Sequence, residues 1–330
     1  MYADSRPDIG QATVDGGIGR AMRRCALTLC LMIPVVSAQA WNGLEHMMTA
    51  KIAYDRLNPH AKQKVDWASE QITLLGKHYN SINMATWADG IKHTKGDPFS
   101  AHYNNWHFID MGLKDTDPDP LANPQPLTVK NGDIVTALKH CEAVMSGQSD
   151  PLIPNEAVAI ALMWHLMGDL HQPLHCTTDY YPNQPSGQHK TDIGGNNVAV
   201  SNFVDPYPNF HSLWDGALEG AWDDKGNRFV VPDEADPFTI TATSPLLVDK
   251  VNEVVSANTI PPADLGGDYV AWARETHALG VTAYESLGQD YTQNKITVSA
   301  AYVSNAQAIA RRQVLLGGMR LAAVLNRLYP

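Results

Sequence analysis

The residues able to do chemistry in this chain sit in a few short stretches. WHLMGDLHQPLH sets His165 and Asp169 four residues apart, so on a helix they stand one above the other on a single face. His175 follows just past the Gln172-Pro173 break, where the chain can fold back toward that face. HSLWD repeats the spacing with His211 and Asp215, NNWHFID carries His107 and Asp110 around Phe108, and TWADGIK carries Asp89 and Lys92. A single His/Asp pair reads as a helix-surface hydrogen bond or a satisfied core histidine. Two pairs on tryptophan-flanked apolar segments, with His175 beside them, read as a metal site, because buried imidazole and carboxylate must be compensated for lost hydration. A donor set of imidazole and carboxylate without thiolate suits zinc. His-Glu-x-x-His, a Gly-rich phosphate loop and Gly-x-Ser-x-Gly are all missing. A multi-metal hydrolase of phosphate esters then moves to the front, since neighbouring metals activate water and stabilise the entering and leaving oxygens.

These residues need rigid elements to hold them. Apolar spacing predicts helices over Leu44 to Leu57, Lys62 to Leu75, Met84 to Ile91, Asp133 to Met145, Asp268 to Leu287 and Ser299 to Leu328. Asn155 to Leu170, opened by Asn155 as an N-cap, is apolar nearly all round and is expected at the centre of the fold. DTDPDPLANPQP reads as an exposed connection, and Thr177 to Asn209 as an extended Pro/Gly/Asn/Tyr-rich loop in which NNVAVSNFV forms a short hairpin. No repeat or linker divides the chain. The fold class is all-α: one compact multi-helix domain with a small irregular loop or hairpin insertion.

Arg23-Arg24, the apolar run Cys25 to Val36 and Ala38-Gln39-Ala40 read as a signal peptide over about residues 22–40, which makes residues 1–40 a leader and the protein exported, periplasmic or secreted. Met22 is a plausible true start, leaving the residues before it untranslated. The 330 residues carry 24 Lys and Arg against 35 Asp and Glu; without the leader's four Arg and three Asp, 20 basic face 32 acidic residues. That balance argues against binding duplex DNA through massed phosphate contacts, yet leaves room for a nucleic-acid enzyme whose positive charge comes from metal ions. Cys141 and Cys176 remain, either as one disulfide or as two buried thiols. Neither a stable membrane association nor a protein partner is indicated.

In this order, WNGLEH, WADGIK, HFID, HLMGDLHQPLH, GGNNVAV and HSLWD, with the closing QVLLGGMRLAAVLNRL, resemble the S1/P1 nucleases, zinc-dependent enzymes acting on single-stranded nucleic acid. The resemblance covers residues 41–328 and implies the phospholipase C/P1 nuclease fold. It implies three zinc ions: one on Asp89, His107, His165 and Asp169; one on His175, His211 and Asp215; and one on His46, a bridging Asp169, and the free α-amino nitrogen and carbonyl oxygen of Trp41. Asp89 would also hold or activate the attacking water, Lys92 and Asn196 would lie near the phosphate, and Phe108 and Asp110 would bind a base. Many relatives have Arg where this chain has Lys92, and lysine lacks the planar bidentate fork. Single-stranded DNA and RNA would be cut to 5′-phosphorylated products, with 3′-nucleotides as further substrates. A zinc-dependent phospholipase C of the same fold and a non-enzymatic periplasmic zinc-binding protein are the alternatives. Among the other histidines, His171 is placed to orient a ligand, while His60, His78, His93, His102, His140, His189 and His277 read as surface or loop residues. Trp87, Trp106, Trp164 and Trp214 read as rigid packing around the site.

Overall fold

The computed structural model describes residues 41–330 except 95–101, 182–189, 206–207, 232–235 and 292–294, so the leader expected over residues 1–40 lies outside the described residues. Helices dominate: α1 (Gly43–Tyr54), α2 (Pro59–Gln71), α3 (Trp87–His93), α4 (Ile134–Met145), α5 (Glu156–Asp169), α6 (Phe210–Asp215), α7 (Pro245–Ala257), α8 (Tyr269–Glu285) and α9 (Ala300–Leu328). The starts of α2, α4, α5, α6, α8 and α9 are set by side chains that satisfy the first free N–H groups. Asn155 accepts from Val158 N at 3.0 Å, Asp133 from Thr136 N at 2.9 Å, and Asn209 from Ser212 N at 2.8 Å.

Helix α5 is the axis of the molecule. Every residue from Ala157 to Asp169 is buried, and α1, α2, α3, α4 and α9 pack around it. A helix apolar on all sides can be stable only in such a place, and its last turn therefore carries His165 and Asp169 to the middle of the protein. The α-helix gives way after Asp169, and Pro173 opens a 3-10 turn, Pro173–His175, that swings His175 back toward Asp169. Helix α7 was not among the expected helices. Its apolar stripe is thin, with Leu247, Val251 and Val254 buried and polar residues between them, and it packs on α1 and α9.

The strands are two residues long and local in extent. NNVAVSNFV contains two of them, Ala199–Val200 and Phe203–Val204, but they do not form the expected hairpin with each other. The first pairs in parallel with Lys295–Ile296 and the second with Phe229–Val230. The residues between them are committed elsewhere: Ser201 N–H donates to Ile296 O at 2.8 Å, and Asn202 exchanges side-chain bonds with the Val298 backbone at 2.7 and 3.0 Å. Cys141 and Cys176 are both free and fully buried, so the thiol reading holds over the disulfide. Cys176 lies with Sγ 3.6 Å from Leu170 O, and burial pushes both thiols well up. No described helix is long and apolar enough to cross a membrane.

Candidate metal centre

Three groups of side chains converge at the C-terminal end of α5. They are His46, His165 and Asp169; Asp89, His107 and His165; and His175, His211 and Asp215, each with donor atoms within 4.8 Å of one another. Residues from α1, α3, α5, α6, the 3-10 turn and the segment after Trp106 thus meet in one place. The first two groups share His165, and Asp169 joins them: His107 Nδ1 and His165 Nε2 lie 2.9 and 3.0 Å from Asp169 Oδ2, and His46 Nε2 lies 3.3 Å from Oδ1. The imidazoles crowd together, with His46 stacked on His165 at 3.8 Å between centroids and His175 on His211 at 4.9 Å.

The backbone fixes which ring nitrogen faces the centre. Nδ1 of His165 meets Ala85 O at 2.5 Å, Nδ1 of His175 meets His107 O at 2.8 Å, and Nδ1 of His211 meets Gly194 O at 2.7 Å. A carbonyl can only accept, so Nδ1 carries the proton in each ring and Nε2 presents a lone pair inward. That is the orientation in which histidine binds a metal. Nε2 of His175 and His211 point at each other across 3.2 Å.

The residues fit a divalent ion. His46 Nδ1 and Nε2, His107 Nε2 and Asp169 Oδ1 are buried without a hydrogen-bond partner, although unpaired polar atoms are costly in a protein interior. His46 Nε2 approaches Asp169 Oδ1 without the alignment of a hydrogen bond. Burial, then the neighbouring His165, pushes the His46 imidazole down; burial and Lys92 push His107 down to about 3, and burial and His175 push His211 down to about 3. Burial alone would raise the Asp169 and Asp89 carboxyls, but the surrounding imidazoles, and for Asp89 chiefly Lys92, hold both below the usual carboxylate range. His175 is lowered as well, chiefly by burial, whereas at His165 burial is outweighed by the Asp169 and Asp89 charges, which raise it; imidazoles beside carboxylates are the donor set that zinc takes. Burial drives Asp215 up against this trend, and the Gln172 amide opposes that rise.

Trp41 is completely buried, with its indole Nε1 donating to Gly168 O at 2.8 Å. The ring is therefore an anchor beside His46 and not a ligand. The solvent side of the centre is marked by Asp89, whose side chain is 18% exposed where Asp169 is 0%. Lys92 Nζ sits 2.7 Å from Asp89 Oδ1. Asn196 lies in the turn below His211, and its Nδ2 donates to Ile193 O at 2.8 Å, so its amide is held within its own turn. Phe108 and Asp110 line a cavity of about 480 Å³ with Asn105, Gln125, Asn131 and Tyr180. Phe108 is half-buried and stands outside the apolar core. Trp87, Trp106, Trp164 and Trp214 are buried around the centre, as expected of packing residues. His171 is buried too, bonded to Met167 O at 2.8 Å and to Arg320 at 3.2 Å.

Two residues escaped the sequence reading. Gln172 is buried, its amide N–H donating to Asp215 Oδ1 at 2.5 Å while its carbonyl accepts the Leu174 N–H, so the amide cannot flip and aims Asp215. The only hint was its place beside the proline break. Ile193 has φ of 57° and is 53% exposed. A β-branched residue in the left-handed region is strained, and strain of this kind gathers at functional sites. It is held by the buried Asp192 on one side, which accepts from Tyr284, Thr178 and the Asp179 N–H, and by Gly194 and Gly195, both at positive φ, on the other. The turn lies between Thr191, paired with the cavity residue Tyr180, and Gly194, which holds His211. The Ile-Gly-Gly run was the available signal.

A helical protein built around a buried His/Asp centre whose three donor groups could hold metal ions is the class that this fold and geometry define. The S1/P1 Nuclease family model matches residues 41–330, and the chain belongs to that family. Nuclease PA3 from Penicillium sp and Nuclease P1 from Penicillium citrinum are each 26% identical over 302 residues, covering 88% of this chain and 98% of theirs. Endonuclease 2 of Arabidopsis thaliana is 24% identical over 308 residues, covering 92% and 95%. Membership makes the protein a metal-dependent hydrolase of phosphodiester bonds with nucleic acid as its substrate.

Proposed function

We propose that the protein is an exported zinc nuclease with three zinc positions, cutting single-stranded DNA and RNA to 5′-phosphorylated fragments and also removing 3′-phosphates from nucleotides. The observation that carries this reading is the convergence of three His/Asp groups at the end of α5 with inward-facing Nε2 atoms and unpaired buried donors. Asp89, His107, His165 and Asp169 would hold one ion, and His175, His211 and Asp215 a second. His46, Asp169 and the terminal amine and carbonyl of Trp41 would hold the third once the leader is removed. Bound zinc supplies charge for the phosphoryl oxygens and lowers the pKa of water.

The protein's own groups do the rest. Asp89 is held ionised and is partly exposed, so it accepts the proton of the attacking water and orients that water toward phosphorus. Lys92 brings an ammonium to the same opening and attracts a phosphate oxygen as a point charge. Phe108 stacks a base in the cavity, and Asp110 contacts its edge. A base must leave its stack to enter such a pocket, and an unpaired base does so at lower cost. Export follows from the leader. The test is cleavage of denatured against duplex DNA of one sequence, with EDTA and zinc re-addition. Preference for the denatured strand, lost with EDTA and restored by zinc, is expected; equal cleavage of both would defeat the single-strand reading.

A further inference from the structure

The His175/His211/Asp215 group draws its two imidazoles from separate segments, and a buried polar network joins those segments behind the rings. His175 is followed three residues on by Thr178, while His211 Nδ1 is held by Gly194 O at 2.7 Å. Thr178 and Asp192, both completely buried, connect the two. The Thr178 hydroxyl donates to Asp192 Oδ1 at 3.0 Å and accepts the Gly194 N–H at 3.1 Å. Asp192 Oδ1 also accepts the Asp179 N–H at 2.9 Å, and Oδ2 accepts the Tyr284 hydroxyl from α8. Backbone bonds close the frame: Asp192 N–H donates to Asp179 O at 3.0 Å, and Asn197 N–H to Asp192 O at 3.0 Å.

Burying a carboxylate is costly unless donors meet its oxygens, and apolar packing, which is non-directional, would fill the space at lower cost. What the carboxylate adds is direction, because donors from two other segments fix both of its oxygens. The turn it holds is under load, with Ile193 at φ of 57° in a region that β-branched residues avoid. The turn is also pressed close to the ligand segments. A Cβ at Gly194 would stand 2.7 Å from Leu174 O and 3.3 Å from His211 Nδ1. Relaxation of this turn would therefore carry the carbonyl away from His211.

We propose that Asp192 and Thr178 form a strut that sets the spacing of the His175 and His211 imidazoles, braced from α8 by Tyr284. None of the three belongs to a donor group, and all act as positioning residues. The inference rests on the reading of His175, His211 and Asp215 as a zinc position.

The test compares the chain beginning at Trp41 with its T178V, T178S, Y284F and Y269F forms, and T178V is also made in D215N. Zinc per chain, zinc release to a competing chelator, melting temperature and kcat are measured on each. Valine removes the hydroxyl and leaves the Gly194 N–H and an Asp192 oxygen each one partner short. T178V should release one zinc about tenfold or more readily, the loss typical of removing a group that orients a ligand. Excess zinc should restore its rate. T178S keeps the hydroxyl and should hold zinc as wild type does. Y284F should loosen the same ion. Y269F removes a hydroxyl from the same helix that bonds Glu142 at 2.6 Å, and should keep all its zinc even where melting falls. In D215N, which lacks the ion concerned, T178V should release no further zinc, since two changes acting on one site are not additive. The strut is overturned if T178V melts lower yet holds zinc as wild type does, or if T178S is as impaired as T178V. It is equally overturned if T178V still loosens a zinc in D215N, or if Y284F holds zinc no differently from Y269F. Should T178V not fold, the comparison of Y284F with Y269F carries the same test. Fewer than two zincs on wild type would sink the functional reading itself; a fully loaded wild type with unchanged T178V and Y284F would sink the strut alone.

Discussion

Lys92 and then the surrounding imidazoles hold the Asp89 carboxyl low, and imidazoles hold that of Asp169 low, but only Asp89 is partly exposed. On the proposed mechanism this division gives proton transfer to Asp89 and the bridging role to Asp169. D89N should lower kcat by about 100-fold or more, the usual range for losing a general base, as read by steady-state cleavage of single-stranded DNA. Asp110 gives a pH signature. Burial first, and then the Asp192 charge, pushes its carboxyl from 3.8 up to about 6. Its ionised form is therefore favoured less in the folded than in the unfolded protein. That penalty is full above about pH 6 and fades as pH falls toward the unfolded value. D110N should melt higher than wild type at about pH 8 and lose the advantage near about pH 4; an advantage independent of pH would contradict the cause. Residue types and spacing made these carboxylates legible in the sequence, because helical period alone places His165 above Asp169. Gln172 and Ile193 were not legible, since one matters through a contact 43 residues away and the other through a backbone angle.

Helix α5 shows how one element positions the centre. A Cβ at Gly168 would stand 2.8 Å from His46 Nδ1 and 3.7 Å from Trp41 Cδ1. Alanine is normally preferred to glycine in a helix interior by about 1 kcal/mol, so G168A opposes helix propensity to the packing of His46. The expected outcome is a lower zinc content and a loss of activity without loss of helical circular dichroism; full zinc loading would show that His46 can shift freely. Helices α1, α4, α5, α8 and α9 were readable from the apolar spacing, and α5 also from its Asn155 cap. Helix α7 was not, because three buried apolar residues among polar ones give a weak signal. The short strands were placed wrongly for another reason: Ala199–Val200 pairs with a segment about a hundred residues on, and pairing at that distance leaves no local trace.

At the scale of the whole molecule, the proposed function makes a mature terminus at Trp41 part of the centre. Trp41 is buried against Gly168, and on that proposal its α-amino group binds metal only when it is free. Retaining Met or a tag before Trp41 should therefore weaken one zinc and reduce cleavage, checked by comparing zinc affinity and kcat of tagged and untagged protein. Ions that bind only the folded chain stabilise it by mass action, and the convergence of unpaired donors at the end of α5 makes that term large. Chelation should lower the melting temperature by several degrees or more, reversibly on zinc re-addition. The most direct measurement of the central claim is elemental analysis of the chain beginning at Trp41, beside the same protein carrying D215N. About three zinc ions per chain are expected for wild type, one for each His/Asp group, with one fewer in D215N. Fewer than two in active, correctly processed wild-type protein would contradict the assignment of these residues as a three-metal centre.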